Sequence, residues 1–497
     1  MLDTIDAVIR RRAAQHGDKP MVVDTDSRLS YAELDQTTRA MAAGFIEAGI
    51  SKGTRVGLIM PNRAQWVQIA AALTRIGAVL VPLSTLLQPP ELVAQLRVAS
   101  VMSLIAVEEF RGHRYLDDLA GVMNTPELPA LQSAWAPAQL TSGEQDIDAM
   151  TAAVTPSDTL VIMFTSGSSG PPKGVIHSHG NALAAVQSGQ TARCIDADTR
   201  LYLPMPFFWV GGFGSGILSA LLAGATLVTE EIPRPETTLR LLEREKVTLF
   251  RGWPDQAEAL ARQSASVRAD LSALRPGSLE ALLPPEQHAE PGARAKLFGM
   301  TESFGPYCGY PADTDMPRSA WGSCGKPFDG MQVRIVDPDT GEPVPAGTIG
   351  MIQLRGPHTL RGICRRSREE VFTPDGYYPT GDLGHLDDDG FMFYRGRCDD
   401  MFKVSGATVY PSEVEEALQT IDGVENAFVT EIDGAVGAAV ISADAIDHLR
   451  AEARKRLSAF KVPTRWLLLD SDDDVPRGTT GKVDVRKLRE LLTASVT

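Results

Sequence analysis

The sequence predicts an α/β protein in which a large N-terminal domain, built of helix-covered sheets and a β-rich subdomain, precedes a small α+β C-terminal domain. Three observations predict it. Strand and helix patterns alternate through the first half of the chain. After about Asp329 the pattern turns to short β-rich stretches, and a polar, charged segment at 395–406 leads into a last run of helices and strands. At 497 residues the chain is too long for one ordinary core, so two or more compact units are expected.

The opening stretch, MLDTIDAVIRRRAAQHGDKP, sets acids and arginines at helical spacing without a continuous apolar run, which predicts a surface helix rather than a secretory leader. RVGLIMPNRAQWVQIAAALTRIGAVLVPLS then gives a strand, a turn at Pro61-Asn62, an amphipathic helix and a second strand at Ala78 to Val81, a β-α-β unit. Strand patterns recur at Thr159 to Phe164, Ala225 to Thr229 and Val247 to Phe250, as in a largely parallel sheet covered by helices. GMQVRIVDPDTGEPVPAGTIGMIQLRG, with its Gly and Pro turns, marks the β-rich subdomain. A helix over Ser412 to Thr420 follows the charged segment, then strand, helix and strand to about Leu469. The domains expected are 1–397, with 329–397 as the β-rich part, and 398–497, with a hinge near Asp399.

Composition narrows the function classes. The 43% hydrophobic and 22% charged content is that of a globular protein, and a net charge of −15 opposes a nucleic-acid backbone, so no nucleic-acid partner is expected. The five cysteines are scattered without metal-ligand spacing, as in a reduced, cytoplasmic protein. Apolar runs such as Ile76 to Leu87 fall short of the ~18 residues that cross a bilayer, so no membrane span is expected.

The densest chemical signal is TSGSSGPPKG, placed between a strand ending at Phe164 and a helix beginning near Asn181. Glycines let backbone amides converge on an anion, hydroxyls add donors and a lysine adds charge. Thr165, Ser166, Gly167, Ser168, Ser169, Gly170 and Lys173 are therefore candidate phosphate ligands, although a Gly/Ser-rich decapeptide alone reads equally as a surface turn. The spacing is not that of a Walker A loop. His179 and Asn181, in HSHGN, read as caps of the following helix.

Four further segments follow in order: FGMTES, YPTGDLG, YRGRCDDMFKVSG and PRGTTGKVDVRKL. Together with the first, the set resembles the adenylate-forming superfamily of acyl-CoA synthetases, firefly-type luciferases and peptide-synthetase adenylation domains. The resemblance runs from Leu29 to Leu488, and the absence of an obvious insertion between Ser303 and Tyr378 favours the acyl-CoA ligase branch.

That resemblance implies a carboxylic acid activated by ATP to its acyl-AMP and passed to coenzyme A, with Mg²⁺. It implies that Thr165 to Lys173 hold the departing phosphates, that Thr301 touches the α-phosphate and that Glu302 holds the metal. It places Phe298, Gly299, Met300, Asp382 and Arg397 on the adenylate, with Asp382 on the ribose hydroxyls, and makes Lys482 the lysine of the adenylation step. The small domain is then mobile about Asp399, which brings Lys403 and Gly406 to the CoA path.

Three departures from the family pattern stand out. Trp209 replaces a common His, and with Gly211, Gly212 and Gly214 it is a candidate acyl-pocket residue or an ordinary core aromatic. Leu279 to Leu283 stands where relatives carry a Gly-Gly-Ala-Pro-type adenine loop. The stretch from Pro284 to Phe298 is short, and Phe298 replaces a common Tyr. These changes lead us to expect an intact thioester-forming step and a weakened adenylation step, with a partner adenylating enzyme as another source of acyl-AMP. Competing readings are a ligase loading a carrier protein and a non-catalytic adenylate-binding protein, with luciferase-type oxygenation behind them.

Overall fold

The computed structural model describes residues 3–123, 125–165, 172–398, 400–404, 407–477 and 483–495. The chain divides into two compact units. The first comprises Met1–Gln332 with Leu354–Tyr378, the second Val333–Gln353 with Pro379–Thr497.

Among the described residues, the first unit holds a seven-stranded sheet in the order Gly362–Ile363, Lys173–Ser178, Thr159–Thr165, Val79–Pro82, Arg55–Ile59, Ser103–Ala106, Ser133–Trp135. From Thr159–Thr165 onward the neighbours run parallel, whereas Lys173–Ser178 is antiparallel to both its neighbours. The expected β-α-β unit is present as Arg55–Ile59, the helix Ala64–Arg75 and Val79–Pro82. A five-stranded sheet orders Leu249–Phe250, Arg200–Tyr202, Thr226–Val228, Pro20–Val23 and Arg28–Ser30, and only the last joins antiparallel. A third, antiparallel sheet brings together Phe298–Met300, Gly305–Gly309 and Lys326–Pro327.

Helix Ala64–Arg75 is buried along most of its length because its apolar residues recur on nearly every face. Its last residue, Arg75, is fully buried and bonds Asp6 at 2.7 Å, Asp35 at 2.8 Å and the Thr38 hydroxyl at 2.8 Å. Three helices are thereby joined through one guanidinium, whose fork of donors matches several acceptors at once.

The second unit carries the sheet Gln332–Val336, Gly350–Arg355, Tyr378–Leu386, Met392–Arg397, whose first, second and third strands reach across the unit boundary. It also carries the three-stranded sheet Val424–Ile432, Ala435–Ser442, Arg465–Leu469 with helices Pro411–Gln419, Ile446–Arg456 and Val485–Ala494. Val414, Leu418, Leu449 and Trp466 form its buried centre. Where the sequence pattern gives one strand before the second helix, the structure has a hairpin. Asp433 and Gly434 both take positive φ, 51° and 76°, the left-handed pair that a two-residue hairpin turn needs. Among the described residues no helix is long and apolar enough to cross a membrane.

Candidate active site

The Thr165–Gly174 loop joins two antiparallel strands rather than a strand and a helix, as the spacing had suggested. Thr165 and Lys173 face each other across the ladder at its open end, and Ser166 to Gly170 lie outside the described residues. The helix begins at His179, and its N-cap is Ser178, with Asn181 completing the capping box. His179 is buried beside the Ile5 amide, which donates to its Nδ1 at 3.3 Å.

Lys173 leads directly to the chemistry. Its Nζ lies 2.6 Å from Glu302 Oε1 and 3.0 Å from the Tyr378 hydroxyl, which in turn donates to the same Oε1 at 3.0 Å. The three groups close a ring: the ammonium donates to both oxygens and the phenol O–H donates in turn to the carboxylate. Glu302 is 4% exposed and Tyr378 is 5% exposed, while the Lys173 side chain keeps 28% of its surface, so the cluster is sealed on the carboxylate side and open on the lysine side.

Thr301 and Glu302 occupy a single helical turn, Thr301–Ser303, that follows the strand Phe298–Met300. The turn is held on several sides. Phe304 takes φ 52° and returns its amide to the Thr301 carbonyl at 3.0 Å, the Leu360 amide donates to the Glu302 carbonyl at 2.8 Å, and Ser303 Oγ donates to the Gly305 carbonyl at 2.7 Å. His177, on the same strand as Lys173 and fully buried, sits 2.7 Å from the Thr301 carbonyl through Nε2. Burial pushes its pKa down to about 4, so the ring is neutral at physiological pH. Phe298 meets Tyr307 edge to face at 5.7 Å, and Gly299 is so close to the Gly305 backbone that no side chain fits there.

Asp382 and Arg397 belong to the second unit, opposite each other on neighbouring strands. Arg397 Nη1 donates to Asp382 at 3.0 Å and to the Thr380 carbonyl at 2.9 Å. Between these two acceptors Gly381, at φ 74°, presents its α-carbon to the guanidinium, and a β-carbon there would stand 2.8 Å from Arg397 Nη2. Asp382 is thus held, buried, with a charged donor beside it.

Trp209 is half-buried and packs edge to face on Phe208 at 5.7 Å and on Trp253 at 5.9 Å. Trp253 is 36% exposed, so the pair offers aromatic surface to solvent. The glycines after Trp209 open a π-helical stretch, Gly211–Leu218. Gly211 and Gly212 lie against Met205 and the Pro206 carbonyl, and Gly214 against the Phe304 ring that follows the Thr301 turn. Close packing is reason enough for glycine at all three.

In the second unit, Lys403 stands on strand Phe402–Val404 opposite Thr408, and Arg477 forms an antiparallel bridge with Val483. Lys482, Asp399 and Gly406 themselves lie outside the described residues. The divergent Leu279–Leu283 segment contains a short turn, Glu280–Leu282, tied to Phe250 by the Leu279 amide at 3.0 Å. Its apolar side chains pack on a cluster that includes Leu239, Phe250 and Leu260.

The residues suit the phosphate and metal chemistry expected of them. Among the described residues no three His, Cys, Asp or Glu side chains gather at one point, so the metal is offered single carboxylates such as Glu302. That suits Mg²⁺, which takes one or two carboxylates and completes its shell with water and phosphate oxygens. Sequence reasoning passed over Tyr378, although it opens the YPTGDLG segment. It also passed over His177, although a spacing of four along a strand puts it on the same face as Lys173.

The chain is similar to known proteins along nearly its whole length. Residues 9–364 match the AMP-binding enzyme family. A (7a-methyl-1,5-dioxo-octahydro-1H-inden-4-yl)propanoyl:CoA ligase of Mycobacterium tuberculosis is 31% identical over 99% of both chains. A feruloyl-CoA synthase of Amycolatopsis is 31% identical over 95% of this chain and 96% of its own. The solved structure of an anthranilate CoA ligase in complex with anthranoyl-AMP shares the fold, with a TM-score of 0.82 at 23% identity over 99% of this chain and 98% of its own. On sequence and fold together, the chain belongs to the AMP-binding enzyme family and stands with its acyl-CoA synthetases.

Proposed function

We propose that the protein converts a ring-bearing carboxylic acid to its CoA thioester through an acyl-adenylate. In the first step a carboxylate oxygen bonds to the α-phosphorus of ATP and the bond to pyrophosphate breaks. In the second the deprotonated CoA sulfur bonds to the acyl carbonyl carbon and AMP leaves. The observation that carries the reading is the Lys173–Glu302–Tyr378 cluster beside the Thr301 turn: a cation for phosphate and a carboxylate for a divalent ion, 2.6 Å apart. With MgATP bound, Lys173 would take phosphate oxygens in place of the carboxylate and Glu302 would hold the metal, which would supply positive charge for the expulsion of pyrophosphate.

The remaining roles follow the family resemblance. Thr165 and Ser166 to Gly170 surround the departing phosphates, and Thr301 meets the α-phosphate. Phe298, Gly299 and Met300 lie along the adenine and acyl moieties, while Asp382 and Arg397 take the ribose. Lys482 serves adenylation, and a C-terminal domain, 398–497, turns about Asp399 so that Lys403 and Gly406 serve CoA. The ring-bearing class rests on the names of the two relatives at 31% identity and on the Trp209–Trp253 pair, whose faces favour flat or polycyclic groups.

A second reading, that adenylation is weak and preformed acyl-AMP from a partner enzyme is the working substrate, is favoured by Leu279–Leu283. Apolar side chains packed into their own cluster stand where small residues would admit adenine closely.

A paired assay separates the two. Ferulate, indoleacetate and bicyclic propanoates, with straight-chain acids as controls, are offered with ATP, Mg²⁺ and CoA, and the matching acyl-AMPs with CoA alone. Thioester from both sets, with ring-bearing acids preferred, is expected of a two-step ligase. Thioester from acyl-AMPs alone supports the second reading, and none from either set rejects both.

A further inference from the structure

The Thr301 carbonyl receives a hydrogen bond from a group that the proposed chemistry does not use. His177 is fully buried, and each of its ring nitrogens has one polar neighbour: Asn181 Nδ2 at 2.7 Å from Nδ1, and the Thr301 carbonyl at 2.7 Å from Nε2. Which nitrogen carries the proton follows from Asn181. Its Oδ1 accepts the Ser178 backbone amide at 2.6 Å, and a backbone N–H can only donate. Its Nδ2 also faces the His358 carbonyl at 3.2 Å, and a carbonyl can only accept. These two one-way partners set the amide so that Nδ2 donates to His177 Nδ1. Nδ1 therefore bears the lone pair, and the proton sits on Nε2, pointing at Thr301.

We propose that His177 is a positioning residue: held by Asn181 as the Nε2–H tautomer, it pins the Thr301–Glu302 turn at the height of the strand that carries Lys173. This rests on the reading of Thr301 and Glu302 as nucleotide-contacting groups. The physical case is that the turn has no long helix behind it, so its placement depends on backbone anchors. The His177 bond anchors the backbone of the turn to the strand Lys173–Ser178, where the Lys173–Glu302 pair joins the two through side chains only. The ring is also braced by Phe304, edge to face at 4.9 Å, so that it cannot rotate away without disturbing the same turn. Asn181 serves two ends at once, closing the capping box of helix His179–Ser188 with its oxygen and orienting the imidazole with its nitrogen.

The test uses the full-length protein and MgATP as the probe, with binding followed by calorimetry. His177→Leu keeps the bulk but removes the donor and is expected to weaken MgATP by about tenfold. His177→Gln, able to donate to Thr301 and accept from Asn181, is expected to stay within about twofold of the parent. Thr301→Ala is expected to weaken binding at least as much as His177→Leu, and the double variant by less than the product of the two, because both act through one turn. In the parent protein, ¹⁵N NMR of the His177 ring is expected to show an unprotonated Nδ1 and a protonated Nε2 at neutral pH. If Thr301→Ala weakens MgATP and His177→Leu does not, the positioning role is overturned while the site reading stands. If Thr301→Ala has no effect, the site reading itself fails. A protonated Nδ1 in the parent overturns the inference whether or not the leucine variant folds.

Discussion

Two charged clusters in the first unit use the same residue types for opposite ends. Arg75 is fully enclosed and shares its donors among Asp6, Asp35 and Thr38, side chains from two neighbouring helices. Lys173 pairs with Glu302 and Tyr378 at similar distances, yet keeps 28% of its side-chain surface. In the first cluster the cation itself has exchanged water for protein on every side, although Asp35 keeps 28% of its side-chain surface, so the guanidinium has no other partner to go to. The second is closed behind the carboxylate and open in front of the cation. An incoming anion can take the lysine without exposing anything buried. Burial on one side only is what separates a strut from a binding group.

The comparison makes graded predictions. Arg75→Met leaves the buried Asp6 without its counter-charge and is expected to lower stability by about 3–5 kcal/mol, read from denaturant unfolding. The folded fraction should retain its kcat/KM. Glu302→Gln is expected to do the reverse, lowering kcat/KM of the ATP-dependent reaction by about 10²–10³-fold with little change in Tm. Were Glu302→Gln instead to unfold the protein and spare the turnover of what remains, the second cluster would be a strut like the first.

Tyr378→Phe removes one hydroxyl from the ring, worth about 1 kcal/mol, and is expected to lower kcat/KM by about fivefold. The loss should show in the KM for MgATP rather than in Tm.

The smallest effect concerns a half-buried acid in the second unit whose charged neighbours are acids. Glu415 accepts the Val429 amide at 2.8 Å, and burial together with Asp400 and Glu416 raises its pKa to about 7. Its folded pKa lies above its unfolded value, so the stability that the protonated form contributes is complete below pH 4.5 and lost as pH rises through about 7. Glu415→Gln is expected to melt a few degrees above the parent near pH 8, with the gap shrinking toward about pH 5. An equal gap at both pH values would mean that the carboxylate does not titrate in this way.

Much of this was legible beforehand. The β-α-β unit, the strand before TSGSSG and the chemistry of FGMTES depend on local pattern and residue type, which survive in one dimension. The hairpin at Asp433-Gly434 was missed: Asp-Gly is a turn signal, but the second strand, Ala435–Ser442, is apolar on both faces and lacks a clean alternation. Tyr378 and His177 stand beside chemical segments, but they were not singled out because the partners that give them a role lie far away along the chain. Tyr378 is 205 residues from Lys173, and His177 is 124 from Thr301.

By itself the sequence determined the α/β class, the order of the chemical segments and the residue types at the candidate phosphate loop, the Thr-Glu turn and Asp382. Those follow from short-range periodicity and from the few side chains able to hold phosphate or a hard cation. Only the tertiary structure decided that Thr165 and Lys173 close a hairpin, that Tyr378 joins Lys173 and Glu302, and that Asn181 sets the proton on His177. Each is a hydrogen bond or register between distant segments. Its direction depends on which partners can only donate and which can only accept, and that is settled when the chain brings them within 3 Å.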